Sequence, residues 1–147
     1  MKRSVIMMIL LSVLAMAGCA PKNEPFFGQW QVMRVIAYAR TYGMSQQTIR
    51  SYIGKKGVYT AERAMFDRKV CQQPEYRHNT YTEDDFYVEF FAHLKDMGIR
   101  KDSVEVVQVY TPQGDAWINP GNAFVIKDAN TVILMYNGVF FELERIR

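Results

Sequence analysis

The chain lacks a hydrophobic run long enough to cross a membrane comfortably as a permanent span. Its longest apolar stretch, residues 5–17, has 13 residues, whereas a transmembrane helix needs about 20. This stretch follows a short basic start, Met1–Ser4, and ends in small residues. The layout is typical of a secretory signal peptide, which is removed after export.

Histidine and cysteine are scarce, with two residues of each. His78 lies seven residues after Cys71, a spacing that matches no standard zinc signature, so we expect no metal site. The other histidine, His93, is predicted on the polar edge of a helix. Basic residues are scattered, and the formal net charge falls from +3 to +1 once Lys2 and Arg3 leave with the signal peptide. Such near-neutrality argues against nucleic-acid binding.

The sequence contains no recognisable catalytic motif. A cysteine nucleophile needs a base within hydrogen-bond reach, and Cys71 with His78 is the only conceivable pair. The segment Gly54–Gly57 lacks the frame and the following helix of a phosphate-binding loop. The acidic run Glu83–Asp85 is typical of a helix start, where negative charge suits the helix dipole. We therefore expect no catalytic residues and no enzymatic activity.

The residues around Cys19 are more informative. The segment Met16-Ala17-Gly18-Cys19 resembles the lipobox of bacterial lipoproteins, whose usual form is Leu-Ala-Gly-Cys. The resemblance implies cleavage between Gly18 and Cys19, a diacylglycerol on the Cys19 sulfur and an acyl chain on the new amine. Ala20 is not the aspartate that resembles an inner-membrane retention signal, so we expect a periplasm-facing anchor in the outer membrane. The alternative is an ordinary signal peptide followed by a chance cysteine.

The mature chain is predicted to be a tether followed by one globular domain. Residues 19–25 are polar and Pro-rich without a hydrophobic period, as expected for a lipidated tether. Residues 26–147 are long enough to bury a core. Lipidation of Cys19 leaves Cys71 without a partner in the chain. We interpret Cys71 as a small buried hydrophobe; the alternatives are an intermolecular disulfide or a redox-sensitive free thiol.

The first strand is predicted over residues 28–38. Its period of two places four side chains on one face: Trp30, Val32, Ile36 and Tyr38. The other face carries Met33, Val35 and Ala37, so we expect both faces to be partly buried.

Two helices are predicted. The shorter covers residues 45–53, with Ser45 as N-cap, and the longer covers residues 83–97, with Thr82 as N-cap and Gly98 as stop signal.

The rest of the chain has a β pattern. Short strands are predicted over residues 56–60, 63–66, 76–81, 104–110, 123–127 and 131–136, and a last strand from residue 139. Residues 67–76 are predicted as a loop holding Cys71, and Asn137-Gly138 is a strong hairpin signal. The predicted fold is mainly β (α+β): an antiparallel meander or small barrel of about eight strands with two helices.

Gly28-x-Trp30 opens the first strand, and Arg145 lies near the end of the last, on its predicted inward face. This pattern resembles the lipocalin and wider calycin families, in which the Trp closes one end of a barrel and an Arg packs across it. The resemblance implies a lipocalin-like domain with a cation–π contact between Trp30 and Arg145 and hydrogen bonds from Arg145 to loop carbonyls. The helix predicted over residues 83–97 departs from the pattern, because the main lipocalin helix lies later.

Aromatic residues make up 14% of the chain, as expected for a β-rich core or a binding surface. They either line a cavity for an apolar ligand or, as is more common, fill the core: Phe26, Phe27, Tyr38, Tyr59, Phe66, Tyr110, Phe124, Tyr136 and Phe141.

Two functions of different classes are compatible with these features. The first is a lipid-anchored binding module for a small apolar ligand or an envelope component. The second is a protein-interaction lipoprotein, such as an inhibitor or immunity protein against a wall-degrading enzyme. Its contact loops would be residues 67–76 and 111–122, because loops commonly carry binding residues. Apart from the acyl groups on Cys19, we expect no cofactor.

Overall fold

The computed structural model describes residues 23–147, which form one nine-stranded antiparallel sheet with two α-helices and one 3-10 helix. The strands are β1 (Gly28–Tyr38), β2 (Lys56–Tyr59), β3 (Arg63–Phe66), β4 (Lys69–Gln72), β5 (Glu75–Thr82), β6 (Ser103–Tyr110), β7 (Ala123–Asp128), β8 (Thr131–Tyr136) and β9 (Val139–Arg145). The helices are α1 (Gln46–Tyr52) and α2 (Glu83–Phe90), and the 3-10 helix spans Leu94–Met97.

The sheet is an up-and-down meander in the order β4-β3-β2-β1-β9-β8-β7-β6-β5. Strand β1 pairs with both β2 and β9, so the first and last strands lie side by side. Strands β4 and β5 form the two edges, and the sheet curls into a half-barrel between them. The prediction of a mainly β, lipocalin-like fold with two helices is confirmed, with nine strands in place of about eight.

The concave face of the sheet carries the larger core. Helix α1 covers part of this face through Ile49 and Tyr52, and the ring of Tyr52 stacks on that of Phe141 at a centroid distance of 5.2 Å. The largest side chains of this core are fully buried: Phe26, Trp30, Tyr59, Phe66, Phe124 and Phe141.

The convex face carries a second core beneath α2 and the 3-10 helix. Phe86, Leu94 and Met97 belong to the same buried cluster as outward-facing residues of the sheet: Val104, Val106, Val125, Ile133 and Phe140. Strands β6 to β9 are therefore buried on both faces. In β7 and β8 this explains the nearly continuous apolar runs at residues 123–126 and 132–136, which replace the alternating pattern of a strand buried on one face.

Local signals position both helices and the last hairpin. Ser45 Oγ accepts a hydrogen bond from the N–H of Thr48 (3.1 Å), and Thr82 Oγ1 accepts one from the N–H of Asp85 (3.2 Å). Both predicted N-caps are therefore confirmed. In the β8–β9 hairpin, Asn137 has a φ of 48°, in the left-handed region that a type I′ turn requires. The predicted hairpin at residues 137–138 is also confirmed.

The prediction of one continuous helix over residues 83–97 is wrong. Helix α2 ends at Phe90, because Phe91 adopts a left-handed φ of 54°. The N–H of Phe91 donates to the carbonyl of Tyr87, and its own carbonyl accepts from the N–H of Arg40 at 3.0 Å. Arg40 lies in the segment after β1, far from α2 in the chain, so the periodicity of the helical segment does not reveal where the helix ends.

The prediction of a loop over residues 67–76 is also wrong. This segment contains β4, which pairs antiparallel with β3, and the start of β5. Strand β4 has four residues, of which only Cys71 is buried. Because only one side chain of this strand is buried, its sequence shows no alternation of apolar and polar residues from which a strand could be predicted.

In β1 the predicted faces are right for Trp30 and Val32 on the concave side and for Ala37 on the convex side, but wrong for Val35 and Ile36. Bulges interrupt the pairing with β9 between Val32 and Arg34 and again between Val35 and Ala37. They shift the alternation, so that Val35 packs against the concave core and Ile36 against the convex core. Tyr38, predicted on the core face, is 43% exposed.

The predicted signal peptide (residues 1–18), its cleavage site between Gly18 and Cys19, and the lipidation residue Cys19 lie outside the described residues. From Asn23 to the end of the chain, no helix is both long and apolar enough to cross a membrane.

Candidate functional site

Arg145 and Trp30 meet at the start of β1. The two residues are partners across the β1–β9 ladder, and the guanidinium carbon lies 4.2 Å from the centre of the indole ring, which is a cation–π contact. Arg145 also donates three hydrogen bonds to carbonyls: Nη1 to Phe27 (2.7 Å), Nη2 to Pro25 (2.6 Å) and Nε to Ala129 (3.0 Å). The arginine therefore fastens the N-terminal segment to the end of the last strand.

Gly28 is required by the same contact. Its φ is 141°, and a Cβ atom at this position would lie 2.5 Å from Nη1 of Arg145. Any larger residue would displace the guanidinium. The structure thus brings together Gly28, Trp30 and Arg145, which the sequence pattern singled out from opposite ends of the domain.

Phe26 carries the N-terminal segment into the concave core. Its side chain is 1% exposed, and its ring centre lies 5.0 Å from that of Tyr76 and 5.2 Å from that of Phe124. Its carbonyl accepts a hydrogen bond from the indole N–H of Trp30 (2.9 Å). Of the nine aromatic residues singled out in the sequence, five are buried in this core: Phe26, Tyr59, Phe66, Phe124 and Phe141.

Cys71 and His78 each have other partners. Cys71 is 5% exposed on the concave face of β4, and its thiol donates to the carbonyl of Tyr110 at 3.8 Å. Burial raises the pKa of this thiol, which favours the protonated form. His78 Nδ1 is hydrogen-bonded to Glu105 (2.6 Å), and its Nε2 lies 3.7 Å from a carboxylate oxygen of Glu24. The thiolate–imidazole pair of a cysteine nucleophile is therefore not formed between these two residues.

His93 lies beyond α2, at the start of the 3-10 helix. Its Nδ1 is 2.6 Å from a carboxylate oxygen of Glu83, and its ring stacks on that of Tyr87 at 4.4 Å. The other oxygen of Glu83 accepts from the N–H of Leu94 (2.9 Å). Burial acts to raise the pKa of Glu83, but the hydrogen bonds from His93 and Leu94 outweigh it and lower the pKa. This cluster joins the two helices.

Glu142 is the one buried charged residue between Asn23 and Arg147. Its carboxylate accepts from Nε of Arg34 (2.9 Å) and from Nζ of Lys127 (3.2 Å), so it links β1, β9 and β7 on the convex face. A buried carboxylate held between two cations is satisfied without a ligand. We therefore assign these three residues a structural role.

An open groove of about 500 Å³ lies on the convex face beyond the end of α2. We call it the outer groove. Its lining comes from the end of α2, from the 111–122 loop, from the chain after β1 and from the sheet: Glu89, Phe90, Phe91, Ile118, Asn122, Ala39, Thr41, Gln108, Ala123, Met135, Tyr136, Asn137, Gly138, Val139 and Phe140.

Two apolar side chains of the outer groove are exposed to solvent, Phe91 by 54% and Ile118 by 82%. Phe91 also occupies the left-handed region, which costs a residue with a Cβ atom about 1–2 kcal/mol, and where glycine is the usual helix-ending residue. Stability alone disfavours an exposed aromatic residue in a strained conformation. Such features are concentrated at functional sites.

One side of the outer groove was predicted from the sequence, and the other side was not. The 111–122 loop was predicted as a contact loop, and it contains Ile118. Phe91 was missed because a helix was predicted to continue through it. The adjacent pair Phe90-Phe91 was the available signal, since consecutive residues point in different directions from a helix and cannot both join a narrow apolar stripe.

Within the part of the chain that the structure describes, no group of three or more His, Cys, Asp or Glu residues is placed to hold a metal ion. The fold and the site define a small protein with a curled, barrel-like sheet, a cation–π contact between Arg145 and Trp30, and an outer groove. Comparisons of the chain with protein-family models, curated proteins and solved structures found no match.

Proposed function

We propose that this chain is a lipid-anchored protein of the bacterial cell envelope, and that its outer groove binds a polypeptide partner without catalysing a reaction. The observation that carries the proposal is the pair of exposed apolar side chains, Phe91 and Ile118, in one open groove. A few anchors, often aromatic, supply most of the energy at protein interfaces, and the contacts around them exclude water.

The proposed anchor is compatible with access to the outer groove. Phe26 is fixed in the concave core, and Cys19 precedes it by seven residues, a reach of about 24 Å when the chain is extended. The outer groove opens on the opposite, convex face of the sheet. A protein held by acyl groups on Cys19 would therefore keep the groove open to the periplasm.

The shape of the site favours a polypeptide over a small apolar ligand. Ligand pockets usually enclose most of a small molecule, whereas the exposed Ile118 lies on an open groove. The concave side, where a barrel protein would hold a ligand, is occupied by buried aromatic rings such as Tyr59 and Phe124. We propose a periplasmic protein, such as a wall-degrading enzyme, as the polypeptide partner.

Metabolic labelling tests the anchor. Cells expressing the full chain are grown with an alkyne-bearing fatty acid, and the purified protein is coupled to a fluorescent azide. We expect the full chain to be labelled and a Cys19→Ser variant to be unlabelled and released from the membrane fraction. A wild-type chain without label would disprove the anchor.

Site-specific photo-crosslinking tests the outer groove. A photoreactive phenylalanine analogue replaces Ile118 in living cells, and as a matched control it replaces Ile53, which is 45% exposed outside the groove. We expect one protein adduct at position 118, none at position 53, and loss of the adduct when Phe91 is also changed to Asp. Equal adducts at both positions, or adducts with phospholipid alone, would contradict a polypeptide partner.

A further inference from the structure

The half-barrel is open along one seam, between the edge strands β4 and β5. The two edges differ. Strand β4 has four residues and begins at Lys69, directly after Arg68, and short, charged edges resist pairing with other chains. Strand β5 has eight residues without a bulge in its pairing to β6, and residues 77–80 are exposed. The edge of β5 is therefore neither short nor bulged, and these are two of the usual protections against pairing with another chain.

The hydrogen bonds of the neighbouring strand show which groups of β5 face the seam. The N–H of Val109 donates to Asn122, and its carbonyl accepts from Trp117, so Val109 faces away from β5. Main-chain direction alternates along an antiparallel strand. Gln108 therefore faces β5, and its partner Arg77 faces β6.

The main-chain groups of the residues that alternate with Arg77 in β5 point the opposite way. The main-chain groups of Tyr76, His78 and Thr80 point to the seam, and within residues 23–147 they have no main-chain hydrogen-bond partner. These three residues present a row of donors and acceptors about 7 Å apart, the spacing that an extended peptide matches.

A pocket lies beside the start of this row. It measures about 290 Å³ and is lined mainly by apolar surface from Phe27, Ala61, Pro74 and Tyr76, with Glu24 and Glu75 at its border. The hydroxyl of Tyr76 donates to the carbonyl of Thr60 (2.8 Å), which fixes the wall of the pocket between β5 and the β2–β3 turn. We call this space the seam pocket.

From the free edge and the seam pocket, we propose that β5 binds an extended segment of a different polypeptide, which adds to the sheet as a further strand. Main-chain hydrogen bonds provide affinity in this mode, and a pocket for alternate side chains provides specificity. The segment has an apolar or aromatic residue that enters the seam pocket and polar residues on the opposite face. A second copy that paired through its own β5 would place the polar His78 and Thr80 on the inward face, so we propose a different polypeptide as the partner.

This site is separate from the outer groove and does not depend on the function proposed above. In the free protein, the amides of Arg77 and Asn79 should exchange slowly with deuterated water, because they bond to β6, while those of His78 and Thr80 should exchange rapidly. Slow exchange at all four amides would show that the edge is already covered.

Binding is tested with a phage-displayed library of random dodecapeptides, selected on the full-length protein in detergent. We expect enriched peptides to slow exchange at His78 and Thr80. Thr80→Pro removes a seam-facing N–H and leaves the ladder to β6 intact, so affinity should fall about tenfold or more. Thr80→Val keeps the N–H and should bind within about twofold of the wild type.

A second pair of variants keeps the test valid if Thr80→Pro does not fold. Ala61→Phe fills the seam pocket from the exposed β2–β3 turn and should also weaken binding about tenfold. Its control, Glu62→Phe, lies next to it but does not line the pocket and should leave affinity unchanged. No enriched peptide, equal binding by Ala61→Phe and wild type, or a dimer abolished by Thr80→Pro would each overturn the proposal.

Discussion

The guanidinium of Arg145 lies 4.2 Å from the ring centre of Trp30 and joins the last strand to the first. Because the same side chain binds the carbonyls of Pro25 and Phe27, it also fixes the point at which the proposed tether enters the domain. The contact thus links the first and last strands of the chain, which are neighbours in the middle of the sheet.

Replacing Arg145 should destabilise the domain. Arg145→Ala removes a cation–π contact and three charge-assisted hydrogen bonds, and we expect a loss of about 2–4 kcal/mol in the free energy of unfolding. Arg145→Lys keeps the charge but not the planar fork of donors, so its loss should be smaller but measurable. Urea unfolding followed by tryptophan fluorescence gives both values. An Arg145→Lys variant as stable as the wild type would show that charge alone is sufficient.

Shortening Phe26 should open a cavity in the concave core. The side chain is 1% exposed among aromatic rings, so Phe26→Ala should cost about 3–5 kcal/mol. An apolar cavity of this kind binds small aromatic molecules, and saturating benzene should restore part of the lost stability. Exposed Phe91→Ala is the control and should gain nothing from benzene. No benzene effect on Phe26→Ala would mean that the core collapses around the missing ring.

Stability should fall at alkaline pH because of Tyr59. Burial, followed by the nearby Tyr76, raises the pKa of Tyr59 far above its ordinary value of 10.0, and its hydroxyl donates to the carbonyl of Gly121. The unfolded chain ionises near pH 10 while the folded chain keeps its proton. The stabilisation is therefore complete below pH 10 and declines above it, by about 1.4 kcal/mol per pH unit.

Urea unfolding at a series of pH values from 8 to 11 measures this decline. In Tyr59→Phe the dependence above pH 10 should be shallower, although loss of the bond to Gly121 lowers stability at neutral pH by about 1–2 kcal/mol. An unchanged slope in Tyr59→Phe would assign the alkaline sensitivity to other groups.

Phe91→Gly should make the domain more stable but less able to bind. Glycine removes the cost of about 1–2 kcal/mol that a Cβ atom imposes in this conformation, while its greater freedom in the unfolded chain costs roughly 0.5–1 kcal/mol. We therefore expect a net gain of roughly 0.5–1 kcal/mol. The same change removes an exposed aromatic ring from the outer groove and should abolish the adduct formed at position 118. Phe91→Ala retains the backbone strain and should bring no gain. A destabilised Phe91→Gly variant would show that the ring contributes more to packing than to binding.

Much of the local structure was predictable from short segments. Ser45 and Thr82 were recognised as N-caps because capping depends on residues three positions apart. Asn137-Gly138 marked its hairpin because the turn itself requires left-handed residues. Arg145 was correctly predicted on the inward face of the last strand, the face on which Val139, Phe141 and Leu143 join the concave core.

The errors lie where distant contacts override local preference. The bulges of β1 arise from its pairing with β9, more than 100 positions along the chain. Helix α2 stops at Phe91, whose carbonyl binds the N–H of Arg40. Strand β4 exists because β3 offers it a ladder, although three of its four residues are exposed.

By itself, the sequence determined the mainly β class, the helix starts and the last hairpin, because these depend on local periodicity and on capping and turn chemistry. The contact of Trp30 with Arg145 was predicted from the resemblance to the lipocalin pattern. Only the tertiary structure decided where the sheet opens and which surfaces stay exposed. The seam beside β5 and the groove beside Phe91 are formed by segments far apart in the chain, and their geometry depends on how the whole sheet curls.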